Sequence, residues 1–374
     1  MGRTFFRKAV NLTLPACSLA LVLGAFSPAN AACTATGFSR DSINLTAALI
    51  NPRNVSGDVD ATGCNIAIYY GPGSRGVVDG ANIHDANYYG IVNNGGDVTI
   101  QNSNISDIGE KPSFNGTQHG VGIYFAFGSA SKGTIQSNMV SRYQKGGIAV
   151  NASVSNVNIQ QNTVIGLGPV DFIAQNGIQV GYGAKAQVQN NLVTGNAYTG
   201  ANFASSGGII VVGGDCYGGP LATNIQVQNN TALGNDVGVW LTNLDASCNA
   251  PAASTKNIAQ GNTLIDNEVT NTTGDGATGY QAGISDQGNG DTIQNNDTCG
   301  PGYTPPGPGT VDVFAIDTTF TNNAKVKNNT VCGGDHEPGG GHGGDHGHGG
   351  GHRHDWWWGA AHAVGHGKRA AAAK

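Results

Sequence analysis

Charge is scarce in this chain, and positive charge most of all: 18 Lys and Arg face 24 Asp and Glu across 374 residues, for a net charge of −6. A nucleic-acid partner requires clustered cations, so that class is set aside. Long apolar runs are missing too, apart from one near the N-terminus, and nothing else is long and apolar enough to span a membrane as a helix. Aromatics make up only 7 % and glycines number 60, a composition that would suit disorder if it were unpatterned. It is patterned: short runs of Val and Ile recur throughout the body.

The one apolar run, Leu12 to Phe26, follows Arg3, Arg7 and Lys8 and precedes the small-residue stretch Ala29-Asn30-Ala31. These are the three regions of a secretory leader spanning 1–31, with cleavage expected after Ala31. Its removal takes away three cations and moves the net charge from −6 to −9. Secretion to the periplasm or the extracellular space is expected, with the mature protein a monomer.

The body repeats one phrase: an apolar residue, an amide, then Asn three places after the apolar residue. Asn138, Asn162, Asn191, Asn230, Asn262, Asn296 and Asn329 fall in one column, about 32 residues apart on average, behind Ile135, Ile159, Val188, Val227, Ala259, Ile293 and Val326. A second phrase, Gly before a β-branched residue, recurs at Gly90-Ile91, Gly122-Ile123, Gly147-Ile148, Gly177-Ile178, Gly208-Ile209, Gly238-Val239 and Gly283-Ile284. Each repeat therefore holds at least two strands. Alternation assigns their faces, with Val157 and Ile159 on one side of "VNIQ" and Asn158 and Gln160 on the other. A unit this small cannot bury its apolar side alone, so copies must stack as a parallel solenoid of about nine to ten coils. Each inward Asn then offers donor and acceptor to the Asn above and below.

With those phrases the sequence resembles the right-handed parallel β-helix repeat proteins of the pectin-lyase-like superfamily, over roughly residues 60–332. The resemblance implies the handedness and a carbohydrate partner. It does not supply catalytic residues: the Asn-Thr-Asp, paired-Asp and Gly-His-Gly segments of galacturonases and the Asp-Pro-His-Asp of alginate epimerases are missing, and His119 is followed by Gly120 but preceded by Gln118.

Six cysteines follow the leader. Cys33 and Cys64 lie 31 residues apart, Cys216 and Cys248 lie 32 apart, and Cys299 and Cys332 lie 33 apart. Coils sit roughly 4.8 Å apart and disulfides accept Cα separations of about 4.4–6.8 Å, so these pairs are read as three coil-to-coil staples. The pair Cys33 and Cys64 lies before the clear repeats. Secretion supplies the oxidising compartment. At the N-terminal end, residues 32–59 read as a cap: Ile43, Ala47 and Ile50 stand at helical spacing after Asp41, which predicts a short helix over the first coil. Residues 333–374 form a Gly/His-rich, low-complexity and disordered tail.

Candidate chemistry gathers on a few coils. Asp107 and Arg142 share an offset from their repeats and should be stacked neighbours, with Gly166, Gly195 and Gly234 at the same place in the next three coils. A charged pair beside a floor of Gly makes a side groove, with Lys111, His119, Tyr124, Tyr143, Lys145, Asp171 and Gln175 on the coils and loops around it. A polysaccharide lyase or epimerase needs a base, a cation and an acid, roles open to Arg142, Lys145, Lys111, His119 and Tyr143. A glycoside hydrolase needs two carboxylates, for which Asp107 and Asp171 are nearest. An ordinary surface ion pair between Asp107 and Arg142 is the bland alternative. The outward column Gln101, Gln136, Gln160, Gln189, Gln228, Gln260 and Gln294 is either a flat amide surface for a glycan or a set of amides bonded to one another. Asp236, Asp266 and Glu268 are either a Ca²⁺ site or exposed carboxylates. The tail histidines, among them His342, His346, His348, His352 and His354, suit Ni²⁺, Cu²⁺ or Zn²⁺ in no single geometry. The reading is a secreted β-helix that binds, and if an enzyme also cleaves or modifies, a polysaccharide or cell-surface glycan; a non-enzymatic adhesion or structural protein is the alternative.

Overall fold

The computed structural model describes residues 32–126, 131–152, 156–201, 204–271, 280–304 and 312–332. The leader and the His-rich tail, with its five candidate metal ligands, lie outside the described residues. Among those described there is no α-helix, only a single 3₁₀ turn at Asp215–Tyr217. The rest is strand and turn, in two long sheets of 11 and 18 strands.

One coil shows the plan. Gly146–Asn151 lies in the first sheet; Val157–Gln160 and Thr163–Val170 follow one another end to end in the second, bent at Gln161 and Asn162 and each paired with its counterparts on the neighbouring coils; the chain then climbs to Asn176–Gly181, directly above its start. This coil thus has three strands where the sequence reading required at least two, while the first two coils have two each, Ile43–Ile50 with Asn54–Asp60 and Ile66–Tyr70 with Arg75–His84. Three apolar files fill the interior. Ile91, Ile123, Ile148, Ile178, Ile209, Val239 and Ile284 stack in register in the first sheet. Ile100, Ile135, Ile159, Val188, Val227, Ala259 and Ile293 stack in the second. Ile83, Ile105, Val140, Val164, Val193, Ala232 and Leu264 make the third. All are buried in one continuous core, and each full-sized aliphatic side chain contributes roughly 1.5–3 kcal/mol by leaving water.

The recurrent Gly of the second phrase has a steric cause. A Cβ on Gly122 would stand 2.5 Å from Val140 and 2.7 Å from the Gly147 carbonyl oxygen, and one on Gly147 would stand 2.4 Å from Val164 and 2.7 Å from the Gly177 oxygen. The third apolar file and the next coil leave no room for a side chain there.

The Asn column is a buried ladder. The Asn191 Nδ2 donates to Asn230 Oδ1 at 2.9 Å and to the Ile159 carbonyl at 3.0 Å, while Asn191 Oδ1 accepts from Asn162 N and Nδ2, each at 3.0 Å. The same pattern runs from Asn138 to Asn329. The residue before each ladder Asn takes the left-handed conformation, as at Ser137 (φ 55°), Gln161 (φ 57°) and Asn190 (φ 56°). One such residue bends the coil and points the next Asn inward.

All three disulfides join the expected cysteines. Cys33 bonds Cys64 with a Cα separation of 5.4 Å, Cys216 bonds Cys248 at 5.1 Å, and Cys299 bonds Cys332 at 4.8 Å. Two of them are coil-to-coil staples as expected. Cys299 ends the strand Asp297–Cys299, and Cys332 directly follows Thr330–Val331, which pairs with that strand from the next coil. Cys216 sits in the 3₁₀ turn after Gly207–Gly213, and Cys248 lies in the loop after the neighbouring strand Val237–Asn243, so their bond joins loops of adjacent coils. The reading of Cys33 and Cys64 as a coil-to-coil staple is corrected. Cys33 precedes the strand Thr34–Arg40, which runs antiparallel to its neighbour and belongs to no coil, whereas the buried Cys64 lies in the turn that enters Ile66–Tyr70. That disulfide ties the cap to the solenoid.

The N-terminal helix is corrected as well. Thr34–Arg40 and Ile43–Ile50 form an antiparallel hairpin, and Asp41 (φ 50°) and Ser42 (φ 64°) are its two turn residues. Two successive positive φ values are what a tight hairpin loop needs, and Leu45 and Ala47 bury one face at strand spacing. Parallel stacking also begins before residue 60, with Ala47 on Ile66 and Asn54 on Val77. Ten parallel strands therefore follow the antiparallel one in the first sheet.

Candidate functional site

Beyond the third apolar file each coil passes one corner position, at which the strand ends in most coils and runs on past an irregularity in Thr163–Val170 and Leu192–Tyr198. Register places Asp85, Asp107, Arg142, Gly166, Gly195, Gly234, Asp266 and Gly300 at this corner on successive coils. Asp85 (φ 65°), Asp107 (φ 56°) and Arg142 (φ 49°) are left-handed there, as are Gly195 (φ 71°) and Gly234 (φ 58°). The expected stacking of Asp107 on Arg142 is seen: Arg142 Nε donates to Asp107 Oδ1 at 2.6 Å. The Arg142 side chain is 64 % exposed, so the pair adds no more than about 1 kcal/mol to the fold.

The row of charge extends toward the N-terminal coils. Lys111 Nζ donates to Asp85 Oδ1 and to the Asp107 carbonyl, both at 2.9 Å, and lies 5.9 Å from the centre of the Phe114 ring. His84 stands between two carboxylates, with Nδ1 2.8 Å from Asp85 Oδ2 and Nε2 3.3 Å from Asp58 Oδ1. Partial burial works against its charge, but the bonds to Asp85 and Asp58 outweigh that and raise the imidazole pKa. Among the described residues, Asp60, His84 and Asp85 offer ligand atoms that all lie within 4.8 Å of one another. Sequence reasoning missed this group because the Asn column that sets coil register begins only at Asn138.

The other groove candidates are placed elsewhere. Tyr143 points into the coil, where its hydroxyl donates to Asn196 Oδ1 at 2.6 Å. Tyr124 is on the outer face of the first sheet, stacked on Tyr89 with ring centres 5.0 Å apart. Asp171 is exposed near the end of its coil. Lys145 and Gln175 belong to a buried polar file that opens the first sheet: Tyr88, Gly120, Lys145, Gln175, Ser206, Asp236 and Gln281. Lys145 Nζ donates to the Ala174 carbonyl at 2.7 Å and has no carboxylate partner among the described residues. Burial alone lowers its pKa to about 7. Gln175 donates to the Tyr143 and Gln144 carbonyls and accepts from Leu167 N, so its amide is fully used by the backbone. His119 is buried face to face with Tyr88, ring centres 3.8 Å apart. Its Nε2 lies 2.8 Å from Glu110 Oε1 but out of line for a hydrogen bond. Burial lowers its pKa, with Glu110 pulling the other way. The corner thus brings Asp107, Arg142 and Lys111 together, while Lys145 and His119 are each enclosed with partners of their own.

Asp236, Asp266 and Glu268 do not form a three-carboxylate cage. Asp236 Oδ2 accepts from Tyr198 N and Ser206 N, and Asp266 accepts from Glu268 N and Gln281 Nε2. Burial pushes Asp236 far above the usual carboxylate range and Asp266 to about 6. A second buried acid pair, Asp286 and Asp291, went unread in the sequence. Asp291 Oδ1 accepts from Thr255 Oγ1 and Asn257 N, both at 2.6 Å, and burial together with the Asp286 charge raises its pKa to about 7. The outer Gln column is tied pairwise, Gln160 to Gln136, Gln189 to Gln228 and Gln294 to Gln260. Gln101, at the start of the column, instead donates to Asp79 Oδ2 at 2.9 Å. A shallow cleft of about 440 Å³ lies near the C-terminal coils, lined in part by Lys256, Ile258, Asn289 and Lys325.

Residues 48–216 match the family described as the right-handed beta helix region. Comparison with curated proteins and with solved structures returns no match for this chain.

Proposed function

From a chain that is a right-handed parallel β-helix, we propose a secreted protein that binds an extended, uncharged polysaccharide along the corner groove and does not cleave it. The observation that carries this reading is the corner file itself. Asp85, Asp107 and Arg142 follow one another at the coil spacing of roughly 4.8 Å, beside the Gly166, Gly195 and Gly234 floor. Such a row offers acceptors and donors at a period close to one sugar unit. Its sign argues against a polyanion: Asp58, Asp60, Asp85 and Asp107 outnumber Lys111 and Arg142. Catalysis lacks its parts at this place, since Lys145 and His119 are enclosed and Asp107 is bonded to Arg142. Three disulfides suit an oxidising compartment, and no helix of the described residues is long and apolar enough to cross a membrane.

A panel of neutral and uronic glycans, offered to the full chain and to an Asp107→Ala/Arg142→Ala double variant, tests the reading. Retention of a neutral glycan that resists added salt, disappears in the double variant and leaves the glycan uncut is expected. Preference for a uronic chain with steep salt sensitivity, release of shortened product, or binding that responds only to changes at Lys256 and Lys325 would overturn it.

A further inference from the structure

We propose that Asp60, His84 and Asp85 form a binding site for one divalent transition-metal ion of the Zn²⁺ type, at the N-terminal end of the corner row. The site does not depend on the glycan reading.

Two adjacent coils build it. Asp60 ends the strand Asn54–Asp60, His84 ends Arg75–His84, and the two are register partners in the parallel sheet. Asp85 follows at the corner, where its left-handed backbone (φ 65°) turns the carboxylate back toward the imidazole. An imidazole nitrogen and two carboxylate oxygens within 4.8 Å of one another are close to what one ion demands: ligands at about 2.0–2.2 Å from Zn²⁺ stand at most about 4.4 Å apart. The donor set is mixed nitrogen and oxygen, which suits Zn²⁺ and its first-row neighbours and not Ca²⁺, whose ligands are oxygens.

The ligand atoms of His84 and Asp85 are bonded to each other, so a bound ion would replace the proton that His84 Nδ1 and Asp85 Oδ2 share. Asp85 gives Oδ1 to Lys111 Nζ and turns Oδ2 toward His84 Nδ1 at 2.8 Å. Asp60 Oδ1 is taken by Thr62 N and Oγ1, and its second oxygen is not bonded to any described residue. With Nδ1 facing Asp85, the other imidazole nitrogen faces Asp58 Oδ1 at 3.3 Å, and Asp58 is itself fixed by Asn82 Nδ2 at 2.6 Å. A carboxylate behind a metal-binding His fixes its tautomer and orientation, so Asp58 is a positioning residue. All three ligand residues are half-buried, which gives the ion access from solvent and leaves a coordination position for water.

The tail histidines would mask the result, so the test uses the full chain with His336, His342, His346, His348, His352, His354, His362 and His366 changed to Gln. Calorimetric titration with ZnCl₂ should give one equivalent bound, and Co²⁺ should produce visible absorption bands of a mixed nitrogen–oxygen site. His84→Gln and Asp60→Asn should each weaken Zn²⁺ binding at least tenfold, and Asp58→Asn about 10- to 100-fold, with the far-ultraviolet spectrum unchanged. CaCl₂ should not compete. Absence of Zn²⁺ and Co²⁺ binding in the tail-substituted chain overturns the site, as does binding that persists in the folded His84→Gln/Asp60→Asn double variant. Should a variant misfold, the stoichiometry and the Co²⁺ spectrum of the tail-substituted chain decide alone.

Discussion

Two files of buried polar side chains run along the same solenoid and meet burial in different ways. The Asn ladder uses one residue type, and each copy satisfies the next: Asn138 to Asn329 pass the same bonds from coil to coil. The file that opens the first sheet changes residue at every coil, from Tyr88 and Gly120 through Lys145, Gln175 and Ser206 to Asp236 and Gln281. Its members lean on the backbone of the loops that enter the sheet, as Lys145 does on Ala174 and Asp236 on Ser206. A uniform amide ladder needs no charge and tolerates any number of coils. The mixed file encloses an amine and a carboxyl whose charged forms burial disfavours. The ladder stabilises the fold, and the mixed file spends some of that stability to hold loops of unequal length.

Breaking the ladder should have the largest effect. Asn191→Leu removes the acceptor of Asn162 N and Nδ2 and the donor to Ile159 O and Asn230 Oδ1. Asn230 Oδ1 keeps its bond from Asn191 N, so at roughly 1–3 kcal/mol for each of the other buried groups left unpaired the loss should be about 3–9 kcal/mol. Denaturant unfolding checks it, and an unchanged midpoint would end the ladder's role as the main support.

Changing the mixed file should act in the opposite direction. Lys145 has a folded pKa of about 7 against an ordinary 10.5, so between those values the unfolded chain holds a proton that the folded chain lacks. Stability then rises with pH through that window, and the penalty is largest at and below neutrality. Lys145→Met should stabilise the protein by about 2–4 kcal/mol at pH 7 and by little near pH 10.5. A pH-independent effect would show that the amine is not held neutral.

Asp291 offers a smaller version inside the ladder's own architecture. Its Oδ1 accepts Asn257 N just as Asn257 Oδ1 accepts Ile225 N on the coil below, so an acid stands where an amide would serve. The folded pKa of about 7 exceeds the ordinary 3.8, and the folded chain therefore holds the extra proton between them. Stability falls as pH rises through that window. Asp291→Asn should add about 1–3 kcal/mol above pH 7 and nothing below about pH 4; thermal unfolding at the two pH values separates these outcomes. Least of all, Gln189→Ala on the outer column should cost under about 0.5 kcal/mol in urea, since its partner Gln228 can turn to water.

What could be read in the sequence follows the same division. A column of one residue type, such as the Asn ladder or the Gly file, carries its period openly, and it also set the register that paired Cys216 with Cys248, paired Cys299 with Cys332 and stacked Asp107 on Arg142. For Cys33 and Cys64 the spacing alone gave the partner, but without a ladder Asn nearby it could not tell a capping hairpin from a coil. Lys145, Gln175 and Tyr143 were visible as residues, but their direction was not: loops of different length separate them from the repeated phrase, so counting could not tell a surface position from an enclosed one. The first coils lack ladder Asn residues altogether, which hid Asp60 and His84 as partners. At Ile43, Ala47 and Ile50 helical spacing competed with strand alternation, and the two turn residues Asp41 and Ser42 decided for the hairpin.

The three disulfides also determine how the molecule would behave as a tether. Cys33–Cys64 fastens the cap, and Cys216–Cys248 and Cys299–Cys332 each fasten one coil to the next, across 31, 32 and 33 residues. A force applied at the two ends of the chain would pass through each crosslink and leave its enclosed loop slack, withholding roughly 100–120 Å of extension per loop at about 3.3–3.6 Å per residue. Reduced protein could be drawn out coil by coil from either end. Oxidised protein would have its load carried past the cap and the last coil, and the stretch that lengthens most would be residues 65–215, which bear the corner row. A solenoid stapled in this way gives way from the middle, and a ligand lying across Asp85, Asp107 and Arg142 would splint the part that yields.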